Sequence, residues 1–200
     1  MALPTTDFDE LQRLVVVGSR CQSLVEYLEA YRITLSVLQS ERALERATFE
    51  AFELCAEDGV SYAEGRFCPA LHTAKGLSLS AALAAVLRGT ARASRVLAMR
   101  AGVIVCAMRD HSAEEAERLA ELAVSLRGEG VVGFDIAGPE KGFPGAVFAR
   151  AYRLAREGGL GCTAHAGEAD GAHSVRTAIE VRFLFFFFFA SDIWFCRISE

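Results

Sequence analysis

The 200-residue sequence predicts an α/β fold built on a parallel sheet, with an N-terminal helical region. Three observations carry this prediction. Apolar stripes at helical spacing alternate with short continuous apolar runs. The last three of those runs begin at Gly102, Val131 and Leu160, 29 residues apart, which is the period of a strand–helix–strand unit. The run Gly102-Val-Ile-Val-Cys-Ala-Met108 is apolar throughout, the pattern of a strand covered on both faces.

The elements follow in order. Met1–Glu10 has neither a basic leader nor a long apolar run, so it does not read as a targeting peptide, and residues 1–19 form a poorly defined N-terminal segment. Leu24, Tyr27, Leu28, Tyr31, Leu35 and Leu38 make one helical stripe, and Leu44, Ala47, Ala51, Leu54 and Cys55 a second, stopped by the turn Glu57-Asp-Gly59. Val60–Phe67 reads as the first strand, ended by Pro69. Leu79, Leu83, Val86, Leu87, Thr90 and Leu97 predict the next helix, and Gly102–Met108 the second strand. Ser112-Ala-Glu-Glu115 has the spacing of a capping box and opens a helix to about Leu126, closed by Gly128 and Gly130. Val131–Ile136 is the third strand. Pro144 suits the start of a helix that Gly158-Gly159 closes. Leu160–Ala164 is the fourth strand, and Ala172–Glu180 begins another helix.

Composition narrows the functional classes. Hydrophobic residues make up 52 % and charged residues 24 %, the balance of a soluble globular chain rather than a disordered one. The net charge of −5, with no Lys/Arg cluster, argues against a nucleic-acid-binding surface. Six Phe occur among eight consecutive apolar residues at 183–190, too short a run to span a membrane, which takes about 20. As an exposed strand it would invite aggregation. The six cysteines contain no CxxC pair, so reduced thiols and a cytoplasmic location are expected.

In a parallel sheet of this kind, functional residues gather at the carboxyl ends of the strands. Arg66 and His72 follow the first strand, Arg109, Asp110 and His111 the second, Asp135 and Glu140 flank the end of the third, and His165 and Glu168 follow the fourth. The most informative segment is Thr163-Ala-His-Ala-Gly-Glu168. A histidine leaves a buried strand, and a carboxylate follows three residues later past a glycine that lets the chain turn. An imidazole there can ligate a metal with an acid nearby, the layout of metal-assisted hydrolysis. The same spacing also occurs in ordinary structural pairs.

Four segments together resemble the adenosine deaminase family: Thr163–Glu168, Val132-Gly-Phe-Asp-Ile-Ala-Gly-Pro-Glu140, Asp58-Gly-Val-Ser-Tyr-Ala-Glu-Gly-Arg-Phe-Cys-Pro69 and Ile104-Val-Cys-Ala-Met-Arg109. No single one is specific; their order and spacing are. The resemblance covers roughly residues 20–180. It implies a partial TIM (β/α)8 barrel of about four βα units, and the zinc-dependent hydrolytic deamination of adenosine or deoxyadenosine to the inosine product. It implies that His165 is a zinc ligand, that Glu168 is the acid that protonates purine N1, and that the backbone N–H of Gly138 meets purine N3. Asp135 resembles a strand-end residue near the site.

The departures from the family are specific. The family's first strand carries His-x-His, but the first histidine here is His72. The family's later His-Gly segment and paired aspartates are also absent. A catalytic zinc needs about three protein ligands, and the resemblance assigns only His165, with His72, His111 and His173 read as exposed loop histidines. The expected organisation is a partial deaminase barrel over 20–180, truncated at both ends, followed by an aberrant Phe-rich tail over 181–200. The expected function is that of a catalytically incomplete deaminase. The alternative is a non-catalytic purine-binding or interaction protein with an open α/β sheet, whose edges offer surfaces for self-association.

Overall fold

Each of the four long helices opens on a serine. In the computed structural model, which describes residues 3–18 and 21–180, these helices are α2 (Leu24–Val37), α3 (Glu41–Glu57), α4 (Leu79–Val96) and α5 (Ala113–Ser125). Ser23, Ser40, Ser78 and Ser112 accept the otherwise unpaired N–H groups of Glu26, Ala43, Ala81 and Glu115. Caps of this kind contribute about 1 kcal/mol each. The predicted capping box is half formed: the Glu115 carboxylate meets the His111 ring instead. Within the N-terminal segment, Asp7 accepts from the Glu10 N–H and starts a short helix α1 (Phe8–Val15), none of whose side chains is buried. The spacing Asp7-x-x-Glu10 is the sequence signal for it.

The sheet holds four parallel strands in sequential order: β1 (Tyr62–Phe67), β2 (Arg100–Met108), β3 (Val131–Ala137) and β4 (Gly161–Cys162). The fourth is shorter than predicted, yet its pairing runs on. Thr163 N–H donates to Phe134 O at 3.0 Å, and His165 N–H to Ile136 O at 3.1 Å. Helix α6 (Ala149–Glu157) lies between β3 and β4, and α7 (Gly171–Glu180) follows.

A slip in register decides which way β3 points its side chains. Val103 pairs with Val131 but Ile104 pairs with Gly133, so Val132 is an extra residue on β3. It fits because Gly102 has no side chain; a Cβ there would lie 2.8 Å from the Val132 methyls. Before the bulge the odd-numbered Val131 enters the helix-covered core; after it the even-numbered Phe134 and Ile136 do. A one-residue shift exchanges the two faces of a strand. Asp135 is thereby turned away from the apolar core, onto the face it shares with Arg66.

The helix-covered core joins Val103, Val105, Phe134 and Ile136 to Leu83 and Val86 of α4, Leu119 of α5 and Tyr152 of α6. The Phe134 and Tyr152 rings meet edge to face at 5.3 Å. The Tyr152 hydroxyl donates to Thr163 O at 2.6 Å, pinning α6 to the strand that carries His165.

Helices α3 and α4 cross at Gly89, where a Cβ would lie 2.6 Å from Glu45 O and 2.8 Å from Thr48 Cβ. Alanine gains about 1 kcal/mol of helix propensity over glycine. Overpacking against a backbone carbonyl costs about 1–3 kcal/mol. Packing prevails: Gly89→Ala is expected to lower stability by about 1 kcal/mol or more, read from urea unfolding. A stabilised variant would show that the two helices can part without cost.

Among the described residues, no helix is long and apolar enough to cross a membrane. Cys21, Cys68, Cys106 and Cys162 are free thiols. The Phe-rich tail lies outside the described residues.

Candidate active site

The carboxyl ends of the parallel strands form one rim, and the side chains singled out there separate into two groups. Arg66, Asp135 and His165 come together. The Arg66 guanidinium pairs with Asp135 Oδ2, and His165 Nδ1 lies 3.1 Å from the same oxygen. Asp135 Oδ1 accepts from the Ile136 N–H at 2.8 Å. Asp135 is wholly buried, whereas the side chains of Arg66 and His165 are 32 % and 25 % exposed. Burial opposes charge on Asp135, but Arg66 and His165 outweigh it and hold its carboxyl below the usual range. Burial likewise opposes charge on His165, and the Asp135 carboxylate prevails, raising the imidazole pKa.

His165 Nδ1 also lies 3.0 Å from Ile136 O. Facing two acceptors, Nδ1 carries a proton, and Nε2 is the ring nitrogen left to act. Metal-binding histidines are oriented in this way, by a carboxylate or carbonyl behind the ring.

Glu168 sits at the exposed rim of the next loop. Partial burial raises its carboxyl pKa; His165 opposes this, and the Glu140 and Asp135 carboxylates reinforce it. A carboxyl that keeps its proton to higher pH is suited to act as an acid. Gly138, just past β3, adopts φ +96°, a backbone conformation that favours glycine, whereas the Met108 Cε that a Cβ would meet at 2.9 Å is a flexible end that can give way.

The remaining histidines lie apart. His72 is 5 % exposed, not a loop histidine in solvent: its Nδ1 bonds Leu38 O at 2.6 Å and its ring stacks on Phe67. His111 pairs with Glu115, and His173 is exposed on α7. Among the described residues, no group of three His, Cys, Asp or Glu side chains converges as a metal site. His165 therefore fits as one ligand, but the described residues do not make up the roughly three that a catalytic zinc requires.

Two supports of the site were not singled out for this role from the sequence. Arg109, 4 % exposed, donates to Phe143 O at 2.8 Å and to His165 O at 2.7 Å. Glu140, 2 % exposed, takes the backbone of the loop around Glu168. Their partners lie 27 to 56 residues away along the chain, so no local pattern marks them. The only signal was their position at strand ends.

This geometry accords with the comparisons to known proteins. The family model described as adenosine deaminase matches residues 1–182. The chain belongs to the adenosine deaminase family. An adenosine deaminase of Mycobacterium leprae is 43 % identical over 182 residues, covering 88 % of this chain and 50 % of the relative. A probable adenosine deaminase of Dictyostelium discoideum is 42 % identical over 177 residues, covering 88 % of this chain and 23 % of that protein. Among solved structures, an adenine deaminase from Arthrobacter aurescens superposes with a TM-score of 0.81 at 28 % identity, over 90 % of this chain and 54 % of its own. An amidohydrolase from Burkholderia ambifaria, solved with bound zinc, superposes at 0.79 and 27 % identity, over 88 % of this chain and 48 % of its own. The deaminase-family chain thus spans about half the length of these mycobacterial and structural relatives. Its four-stranded parallel sheet is part of a TIM barrel.

Proposed function

We propose that this deaminase-family chain carries one half of a hydrolytic purine-nucleoside deaminase site: His165 as a metal ligand, Glu168 as the acid for purine N1, and the Gly138 N–H as the contact to purine N3. The observation that carries the reading is the fixed His165 ring. It is rooted in the β3–β4 ladder, backed by buried Asp135, and followed three residues later by a carboxyl of raised proton affinity. Family membership over residues 1–182 supports adenosine or deoxyadenosine as the substrate class and zinc as the metal. Because the described residues supply one ligand, no turnover step is assigned to the chain alone.

The expected result is that the purified 200-residue chain, supplemented with zinc, converts no adenosine to inosine above the uncatalysed background. Turnover by a homogeneous preparation would overturn it and show that further ligands are recruited.

A second reading is favoured by what is retained. Gly138 and Glu168, read as the purine-facing pair, both lie at the strand-end rim, while the described residues supply one metal ligand. On this reading the chain is a non-catalytic purine-binding protein. Calorimetry with purine riboside decides: heat of binding that Glu168→Gln abolishes supports it, and no heat at millimolar ligand removes it. We further propose self-association through the edges formed by β1 and β4, which a solution mass of one chain would overturn. We propose a reducing cytoplasm as its location, in keeping with the free thiols of Cys21, Cys68, Cys106 and Cys162.

A further inference from the structure

The loop that presents Glu168 is held in shape by a single buried side chain. Glu140 lies three residues beyond the end of β3 and is 2 % exposed. Its Oε1 accepts from the Gly167 N–H at 2.6 Å. Its Oε2 accepts from the N–H groups of Ala169 at 2.5 Å and Asp170 at 2.9 Å. The Ser174 hydroxyl donates to Oε1 as well. Four donors fill the four acceptor sites of one carboxylate. Two of them lie at residues 169 and 170, just ahead of α7, so Glu140 supplies from the loop after β3 the carboxylate that a helix start favours.

The pattern brackets one residue. Gly167 and Ala169 are both tied to Glu140, and Glu168 between them is the residue whose side chain is left to project. Gly167 itself sits at φ +86° with no room for a Cβ, which would lie 2.7 Å from Val175. The turn is thus fixed by its own backbone and by Glu140.

We propose that Glu140 is a positioning residue, whose buried carboxylate fixes the backbone on both sides of Glu168 and so aims the Glu168 carboxyl toward the His165 side of the rim. This rests on the reading of Glu168 as the acid, and it adds a residue that touches neither purine nor metal. The charge also matters. A carboxylate accepts from all four donors, whereas an amide presents one oxygen and an N–H2 that opposes them.

The test uses the full chain and its Glu140→Gln, Glu140→Asp and Ser174→Ala variants, studied by NMR at one pH. In Glu140→Gln, the Gly167, Ala169 and Asp170 amides are expected to exchange about 10- to 100-fold faster, as for loss of hydrogen bonds to a charged group. Val105 and Phe134 in the sheet are expected to keep their wild-type rates. The Glu168 side-chain carboxyl carbon is expected to change its shift as it leaves the His165 side of the rim, and Glu140→Asp to bring it part of the way back. A Glu168 signal unmoved in Glu140→Gln would overturn the proposal. Should that variant fail to fold, Glu140→Asp and Ser174→Ala still decide. The proposal requires the Glu168 signal to move in the first and to stay in the second, which keeps all three backbone donors; any other pair of results overturns it. Equal purine riboside affinity of wild type and Glu168→Gln would instead defeat the reading of Glu168 as the acid, and the carboxyl signal would still report on Glu140.

Discussion

Asp135→Ala is expected to lower stability by about 2–4 kcal/mol. Removing one partner of a buried ion pair costs about 3–5 kcal/mol, because the other charge is stranded. Here the partners Arg66 and His165 are each partly exposed and regain some water, which lowers that figure. Urea unfolding of the variant measures it; a loss below 1 kcal/mol would mean that Arg66 hydrates fully once Asp135 is gone. Asp135→Asn keeps the volume and removes the charge. Burial and the Arg66 charge then act on His165 against the weaker pull of Glu168 alone, so its imidazole pKa is expected to fall below the usual 6.5, where in the wild type it is raised. An NMR titration of the ring reads the change of direction.

The pair also sets a pH window. Asp135 has a lowered folded pKa, so its contribution is present above its unfolded value of 3.8 and is lost as pH falls through the folded value. His165 has a raised folded pKa, so its contribution is full below 6.5 and is lost as pH rises through the folded value. Between those limits both contributions stand. In Asp135→Asn the Asp135 dependence at the acid end is expected to vanish and the His165 dependence to change sign, with stability now lost as pH falls below 6.5, which unfolding series from pH 3 to 8 would show.

The parts of this molecule legible in the sequence were those fixed by local pattern. The 29-residue spacing of Gly102, Val131 and Leu160 marked three strands of one sheet, and Ser112 marked the start of a helix, because periodicity and capping act within a few residues. His165 and Glu168 drew notice because a strand, a histidine and a glycine turn occur together in one short segment, but only the family resemblance gave them expected roles. What could not be read is what the fold brings together from afar. His72 looked like a loop histidine because its partner, Leu38 O, lies 34 residues away. Arg66 and Asp135 stand on strands that do not pair with each other and meet across β2, and only the bulge at Val132 turns Asp135 to that face. Glu140 was visible as a charged residue at a strand end, but its four donors come from a loop and a helix not yet formed when only β3 is considered.

Arg109→Met tests whether the site's second buried charge matters as much as its first. The guanidinium reaches two carbonyls at once, Phe143 O on one side and His165 O on the other, and so holds the loop after β3 against the histidine that follows β4. Its setting is tight, since a Cβ on Gly145 would lie 3.2 Å from Nη1. Hydrogen bonds to a charged group contribute about 1.5–3 kcal/mol each, and methionine makes neither while leaving both carbonyls without that donor. The expected loss is about 3 kcal/mol in urea unfolding. Arg109→Lys keeps the charge but offers a point donor in place of a fork, so it is expected to recover one of the two bonds and less than the whole loss. The two variants also separate stability from placement. If Arg109 holds the His165 backbone, the His165 ring signals shift in both variants, more in Met than in Lys. A loss below 1 kcal/mol with unmoved ring signals would show that the β3–β4 ladder alone, through the His165 N–H to Ile136 O, holds the candidate ligand in place.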